Sequence, residues 1–150
     1  MSDLGSLYQD VILDHSRRPR NCRALAEANH HAKGYNPLCG DMVTLHLRLE
    51  GDRIADIAFE GSGCAISTAS ASILTETLKG KTLAEAASLF EVFHDLVTGR
   101  LPESANIPDL GKLAVFSGVS QFPVRVKCAS LPWHTLRSAL RDDPAVTSTE

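Results

Sequence analysis

From residue 43 the chain alternates: Val43, Leu45, Leu47 and Leu49 are apolar, while Thr44, His46 and Arg48 between them are polar. A period of two is that of a strand with one face buried. Gly51-Asp52 then marks a tight turn and Arg53 to Phe59 returns, which predicts an antiparallel hairpin. A further strand is expected over residues 31–35. Upstream, Leu4, Leu7, Tyr8, Val11 and Ile12 fall at helical spacing and predict an amphipathic helix ending near Pro19. Residues 65–78 read as a second helix, rich in Ala, Ser and Thr, whose small side chains allow close packing on the sheet.

A third helix opens with a capping box, Thr82 at the N-cap and Glu85 three residues on. Its stripe is Leu83, Ala86, Ala87, Phe90, Phe93 and Val97, with Gly99 as terminator and His94 at the edge of the core. Residues 100–109 contain Pro102 and Pro108 and little periodicity, so a mobile loop is expected there. Residues 110–119 predict a short helix with Leu113, Val115 and Phe116 inward. A last helix is expected after Cys128, with Pro132 in its first turn and Trp133, Leu136 and Leu140 on one face.

A chain of 150 residues, 43% hydrophobic and 22% charged, predicts one domain over residues 1–150 with a tail at 142–150 that is disordered. At this length about 68–70% of the unfolded surface is buried on folding, so a metal is not needed merely to make a core. Fifteen basic against eighteen acidic residues, a net charge of −3, exclude a nucleic-acid protein held by counterion release. Met1 to Asp10 lack the basic start and apolar run of a signal peptide, and no window approaches the ~20 apolar residues of a membrane span. The expectation is a cytoplasmic protein with no membrane partner. In a reducing compartment four cysteines point to metal or sulfur chemistry rather than to disulfides.

Three of those cysteines share a setting. Cys39 stands two residues from Asp41 in the loop 34–41, beside Pro37 and Gly40; Cys64 closes the glycine-rich 61–64; Cys128 closes 125–128. Thiolate and carboxylate at that spacing can converge on one cation if the backbone bends between them. The residues therefore read as a single zinc site made by Cys39, Asp41, Cys64 and Cys128. Cys64, at a strand-to-helix junction, gains from the first-turn amides of the helix that follows. Cys22 lies outside any such loop and reads as an ordinary cysteine. His46 reads as a solvent-facing strand residue, and His30 and His31, adjacent on a strand, point to opposite faces. Arg17, Arg18 and Arg20 read as a solvated turn. The sequence has no Cys-x-x-Cys pair, phosphate-binding glycine loop, Gly-x-Ser-x-Gly elbow or His-Glu-x-x-His helix, so ribbons, thioredoxin-type redox, hydrolase and zincin chemistries drop out.

Leu7-Tyr8 with Val11-Ile12, Asp14-His15 and Pro19-Arg20-Asn21, then Asn36 to Asp41, then Phe59 to Ser67, and finally Val126-Lys127-Cys128, resemble the iron–sulfur assembly proteins of the NifU and IscU type. The resemblance spans about Leu7 to Leu140, with all three cysteine blocks in order. It is stronger to the SufU branch than to the cluster scaffolds. Scaffolds carry a histidine where this chain has Lys127, and a Leu-Pro-Pro-Val-Lys motif where it has Gln121-Phe122-Pro123-Val124-Arg125. The capping-box helix and the loop to Leu110 also look like the extra segment of SufU proteins.

The resemblance implies a compact α+β domain: a small antiparallel sheet of about three strands, helices on one face and the metal loops at one end. It implies a zinc-bound sulfurtransferase that takes persulfide sulfur from a SufS-type cysteine desulfurase and passes it to the downstream SUF scaffold for iron–sulfur cluster assembly. Cys39, flanked by Pro37 and Gly40, suits the sulfur acceptor best. Cys64 and Cys128 look like anchors, and Arg125 and Lys127 could stabilise anionic sulfur or dock the partner. Two alternatives stand beside this one: a scaffold that builds a cluster on the same residues, with iron or a transient cluster in place of zinc, and a structural zinc domain that only binds partners.

Overall fold

The hairpin forms because its alternation is unbroken, and the rest of the domain is laid on its apolar side. In the computed structural model, which describes residues 2–37, 39–100, 108–141 and 147–148, three antiparallel strands carry the sheet. These are β1 (His30–Asn36), β2 (Asp41–Glu50) and β3 (Arg53–Ser62), with β2 in the middle. The register pairs His31 with His46 and Asn36 with Asp41 across β1 and β2, and Met42 with Ser62 across β2 and β3. A fourth element, β4 (Thr147–Ser148), lies parallel to β1 opposite Gly34 and Tyr35. The tail expected to be disordered is thus strand-paired at these two residues; residues 142–146 and 149–150 lie outside the described part.

The helices are α1 (Ser2–Arg17), α2 (Ala65–Leu78), α3 (Leu83–Thr98) and α4 (Pro123–Leu140), with a 3-10 segment over Pro108–Gln121. Ala32, Val43, Leu45, Leu47, Ile54, Ile57 and Phe59 form the inner face of the sheet. Ile73 and Leu74 of α2 and Leu131, Trp133 and Leu136 of α4 bury against the same core. Each such Val, Leu, Ile or Phe contributes about 1.5–3 kcal/mol by leaving water, so the apolar core is a large stabilising contribution in its own right. The expected capping box of Thr82 and Glu85 is formed, and Gly99 ends α3 in the left-handed conformation at φ 76°. Leu113, Val115 and Phe116 are buried as the sequence predicts, on a 3-10 rather than an α-helical backbone. Leu4, Leu7 and Tyr8 fall where side chains are not described, as do residues 101–107 of the expected loop.

One boundary differs. The last helix begins at Pro123, not after Cys128, so Cys128 lies inside α4 and Pro132 lies in its interior. Pro123 takes the first helical position, where a missing N–H costs nothing, and so outcompetes Pro132 as the starting residue. Pro132 in the interior leaves the carbonyl of Cys128 without its amide donor and crowds that carbonyl with its ring, a cost of about 3 kcal/mol that the burial of Leu131, Trp133 and Leu136 offsets.

Candidate metal centre

Three backbone segments meet at one end of the sheet. The first is the β1–β2 connection, Pro37 to Gly40, in which the Cys39 amide bonds back to the Asn36 carbonyl at 3.3 Å and Gly40 adopts φ 71°. A side chain at that φ would be strained, so glycine permits the bend that sets Cys39 and Asp41 together. The second is the β3–α2 junction, where Cys64 is the N-cap of α2 and its Sγ accepts the Ser67 amide at 3.4 Å. The third is the first two turns of α4, which carry Cys128.

Asp41 is the centre of the arrangement. It has no exposed surface, although it is a carboxylate at the end of a strand. Its Oδ1 accepts the backbone N–H of Cys64 at 2.8 Å and its Oδ2 accepts Asn36 Nδ2 at 3.4 Å, with Cys64 Sγ 3.8 Å from Oδ2. The approach is possible because residue 63 is glycine: a Cβ there would stand 2.6 Å from Asp41 Oδ1. Cys128 is buried, its Sγ 3.2 Å from Cys39 Sγ and 3.5 Å from Asn36 Nδ2. Cys39 is exposed.

One ligand atom each from Cys39, Asp41 and Cys128 lies within 4.8 Å of the others, close enough to converge on one ion. Cys64 stands beside this trio, next to Asp41. Burial pushes the Cys128 thiol well up, and hydrogen bonding to Cys39 and Asp41 and the charge on Cys64 act in the same direction. Such a crowd of potential anions is expensive to bury alone, and a dication reverses the balance, because a coordinated thiol is deprotonated outright. Thiolates with one carboxylate are a zinc-compatible donor set, so the residues fit the metal the sequence suggests.

Asn36 is the residue that residue-type reasoning passed over. Its signal was available: with Ala32 and Gly34 it occupies the inward positions of β1, where a polar side chain needs a partner. Arg125, exposed on the first turn of α4, lies over the Phe122 ring at 4.6 Å, and Lys127 is half-buried on the next turn. An open apolar groove lined by Ile12, Leu13, Ile66, Val115, Val119 and Phe122 runs up to Cys64 and Arg125. Cys22 is exposed, away from the trio, in a bridge to Phe59.

The model for the NifU-like N-terminal domain matches residues 7–129. The chain belongs to this family. It is 41% identical over 139 residues to the zinc-dependent sulfurtransferase SufU of Bacillus subtilis, covering 93% of this chain and 92% of that protein. It is 39% identical over 141 residues to the iron–sulfur cluster assembly scaffold protein IscU of Streptococcus pyogenes serotype M1, covering 94% and 87%. Among solved structures it superposes on a candidate iron–sulfur cluster assembly scaffold protein for the SUF system from Fervidobacterium islandicum AW-1. There the TM-score is 0.82 and the identity 37%, over 90% of this chain and 97% of that one. A NifU-like N-terminal domain from Brucella abortus shares the fold at a TM-score of 0.81, with 23% identity over 90% and 92%. The fold expected from the resemblance is therefore the fold observed. Among the described residues no helix is long and apolar enough to cross a membrane.

Proposed function

We propose that this chain is a sulfur acceptor in iron–sulfur cluster biogenesis: Cys39 takes persulfide sulfur from a SufS-type cysteine desulfurase and hands it to the downstream SUF assembly scaffold. Cys39, Asp41, Cys64 and Cys128 hold a zinc ion in the resting protein. The observation that carries the reading is the asymmetry of the set. Cys128 and Asp41 are buried and tethered, by Asn36 and by the Cys64 amide, while Cys39 alone among the trio is exposed on a hairpin loop.

Zinc, when bound, supplies a charge that keeps thiols deprotonated and brings no redox chemistry that would consume a persulfide. The transfer is an exchange at sulfur. The Cys39 thiolate attacks the outer sulfur of the donor persulfide, a new S–S bond forms at Cys39, the donor S–S bond breaks, and the donor cysteine leaves as its thiolate. No net electrons or protons are exchanged with solvent. Phe122 and Val124, 47% and 51% exposed, and the apolar groove beside Cys64 give the desulfurase a surface to seat on next to that thiol, with Arg125 as a cation at its rim. Lys127, one residue before Cys128, is the second candidate for pairing with anionic sulfur.

Incubation of the purified protein with desulfurase and cysteine tests this reading. A persulfide on Cys39, absent from Cys39→Ser, together with about one zinc per chain is the expected outcome; no transferable sulfur on the wild type rejects it. The scaffold reading is favoured by the Streptococcus relative, and reconstitution separates the two: a scaffold takes up iron and sulfide in place of zinc, whereas a sulfur acceptor retains zinc. A structural zinc domain would bind partners and carry no sulfur at all.

A further inference from the structure

On the solvent side of the sheet, away from the cysteine site, His31 of β1 and His46 of β2 are direct cross-strand partners. Their Nδ1 atoms are 2.8 Å apart and their rings stand nearly perpendicular, at 80° with centroids 5.0 Å apart. Glu60 of β3 holds the far nitrogen of the same residue, His46 Nε2, through its Oε1 at 2.8 Å. The three side chains form a row across all three antiparallel strands.

We propose that His31 and His46 form a second metal site, for a borderline dication such as zinc, with Glu60 as its positioning residue. The hydrogen bonds assign the protons. A carboxylate accepts, so His46 carries a proton on Nε2, and in the neutral ring its Nδ1 lone pair faces His31. With both rings in the same neutral form as a metal ligand, the one proton that two nitrogens at 2.8 Å share belongs to His31 Nδ1. An imidazole with one nitrogen fixed by a carboxylate and the other aimed at a second imidazole nitrogen is an arrangement in which histidine can take up a metal. The two Nδ1 atoms need to separate only modestly: with metal–nitrogen bonds of about 2.0–2.1 Å, tetrahedral ligands stand about 3.3 Å apart. Glu60 is not a third ligand, since it lies on the opposite side of the His46 ring; water would complete the shell. His46, whose side chain is 13% exposed, is held by its neighbours, while His31 is exposed and can swing. Metal insertion requires one change of state, transfer of the His31 proton from Nδ1 to Nε2, with no net proton released.

The test uses the full chain with its cysteine site already loaded with one zinc, titrated with further zinc in equilibrium dialysis while the imidazole nitrogens are followed by NMR. A second, weaker equivalent is expected, lost in His31→Asn and in His46→Asn with the first equivalent intact, and unaffected by Cys22→Ser. Glu60→Ala should weaken it at least tenfold and Glu60→Gln should recover part of that loss, the range of effect an orienting carboxylate has on a metal histidine. The His31 resonances should report the shift of its proton to Nε2 as the second equivalent binds, while His46 stays protonated on Nε2. Absence of a second equivalent overturns the proposal. So does a second equivalent that survives both histidine substitutions or that leaves the His31 tautomer unchanged.

Discussion

Asp41 reaches across the end of the sheet to accept the backbone N–H of Cys64 at 2.8 Å, so the carboxylate that would ligate a metal also fixes the N-terminus of α2. Ligand loop and helix start are thereby one unit. Gly63 is what lets them touch, since any Cβ there falls 2.6 Å from Asp41 Oδ1. Gly63→Ala is therefore expected to push the carboxylate out of line and weaken zinc binding by tenfold or more in a chelator competition. Asn36→Ala, which removes the donor to Asp41 Oδ2 and Cys128 Sγ, should act in the same range of about 10–100-fold. Unchanged zinc affinity in both variants would mean that Asp41 is not held for the metal.

Replacing any one of Cys39, Cys64 or Cys128 by Ala should bring zinc well below one per chain, while Cys22→Ala leaves it unchanged. Zinc removal by a chelator should leave the far-ultraviolet circular dichroism largely intact. The core of β2, β3, α2 and α4 is apolar and closed, and net stabilities of about 5–15 kcal/mol can come from such a core alone. Collapse of the spectrum on zinc removal would instead make the metal structural, as in small domains whose folding energy is metal binding.

His15 leads to a pH prediction. It lies on α1 and is fully buried against α2, its Nδ1 2.7 Å from Ser72 Oγ and its Nε2 3.3 Å from Lys112 Nζ, and Lys112 in turn pairs with Glu76 at 2.8 Å. Burial, then the charges of Arg20 and Lys112, holds the His15 pKa below the usual 6.5, against the weaker pull of Glu76 and Asp14. His134, beside His94 and Arg137, is lowered for the same first reason. With folded pKa values depressed, the unfolded chain binds more protons below pH 6.5, so stability is fully present above that pH and falls as pH drops toward the folded values. Denaturant melts from pH 8 down to pH 5 should show that loss, and His15→Asn, which can still donate to Ser72 but does not titrate, should flatten it. A slope unchanged in the variant would assign the acid sensitivity elsewhere.

The strands, the first three helices and the capping box were legible because each carries a local signal: alternation in 43–49, a Thr-x-x-Glu box at 82–85, a stop glycine at 99. The start of α4 was not, because two prolines compete for its first turn and the packing of Val126 against the core, which helps decide for Pro123, is visible only in the fold. The cysteines could be grouped from their loops. Which would be buried could not, because burial of Cys128 and exposure of Cys39 depend on how α4 crosses β1. The pairing of His31 with His46 was hidden for a related reason: adjacency of His30 and His31 is visible in the chain, whereas a cross-strand partner needs the register.

The carboxylate itself separates a ligand that holds from one that yields. Asp41→Cys would place four thiolates around the ion, a closed structural arrangement with no harder, more exchangeable donor to give way. The variant also loses the acceptor for the part-buried Cys64 amide, at a cost of up to about 1–3 kcal/mol, so a lower melting temperature is expected from the fold alone. Zinc should nevertheless be retained through purification and surrendered to a chelator more slowly than by the parent protein. If release of Cys39 toward the donor persulfide depends on the carboxylate yielding, sulfur loading by desulfurase and cysteine should fall sharply in Asp41→Cys even though the zinc content is full. Asp41→Ala, with three thiolates and room for water, should show the opposite pattern: labile zinc and residual sulfur loading. Full loading of Asp41→Cys would show that exchange at residue 41 is no part of the transfer, and would leave Cys39 reaching the donor by movement of the Pro37 to Gly40 loop alone.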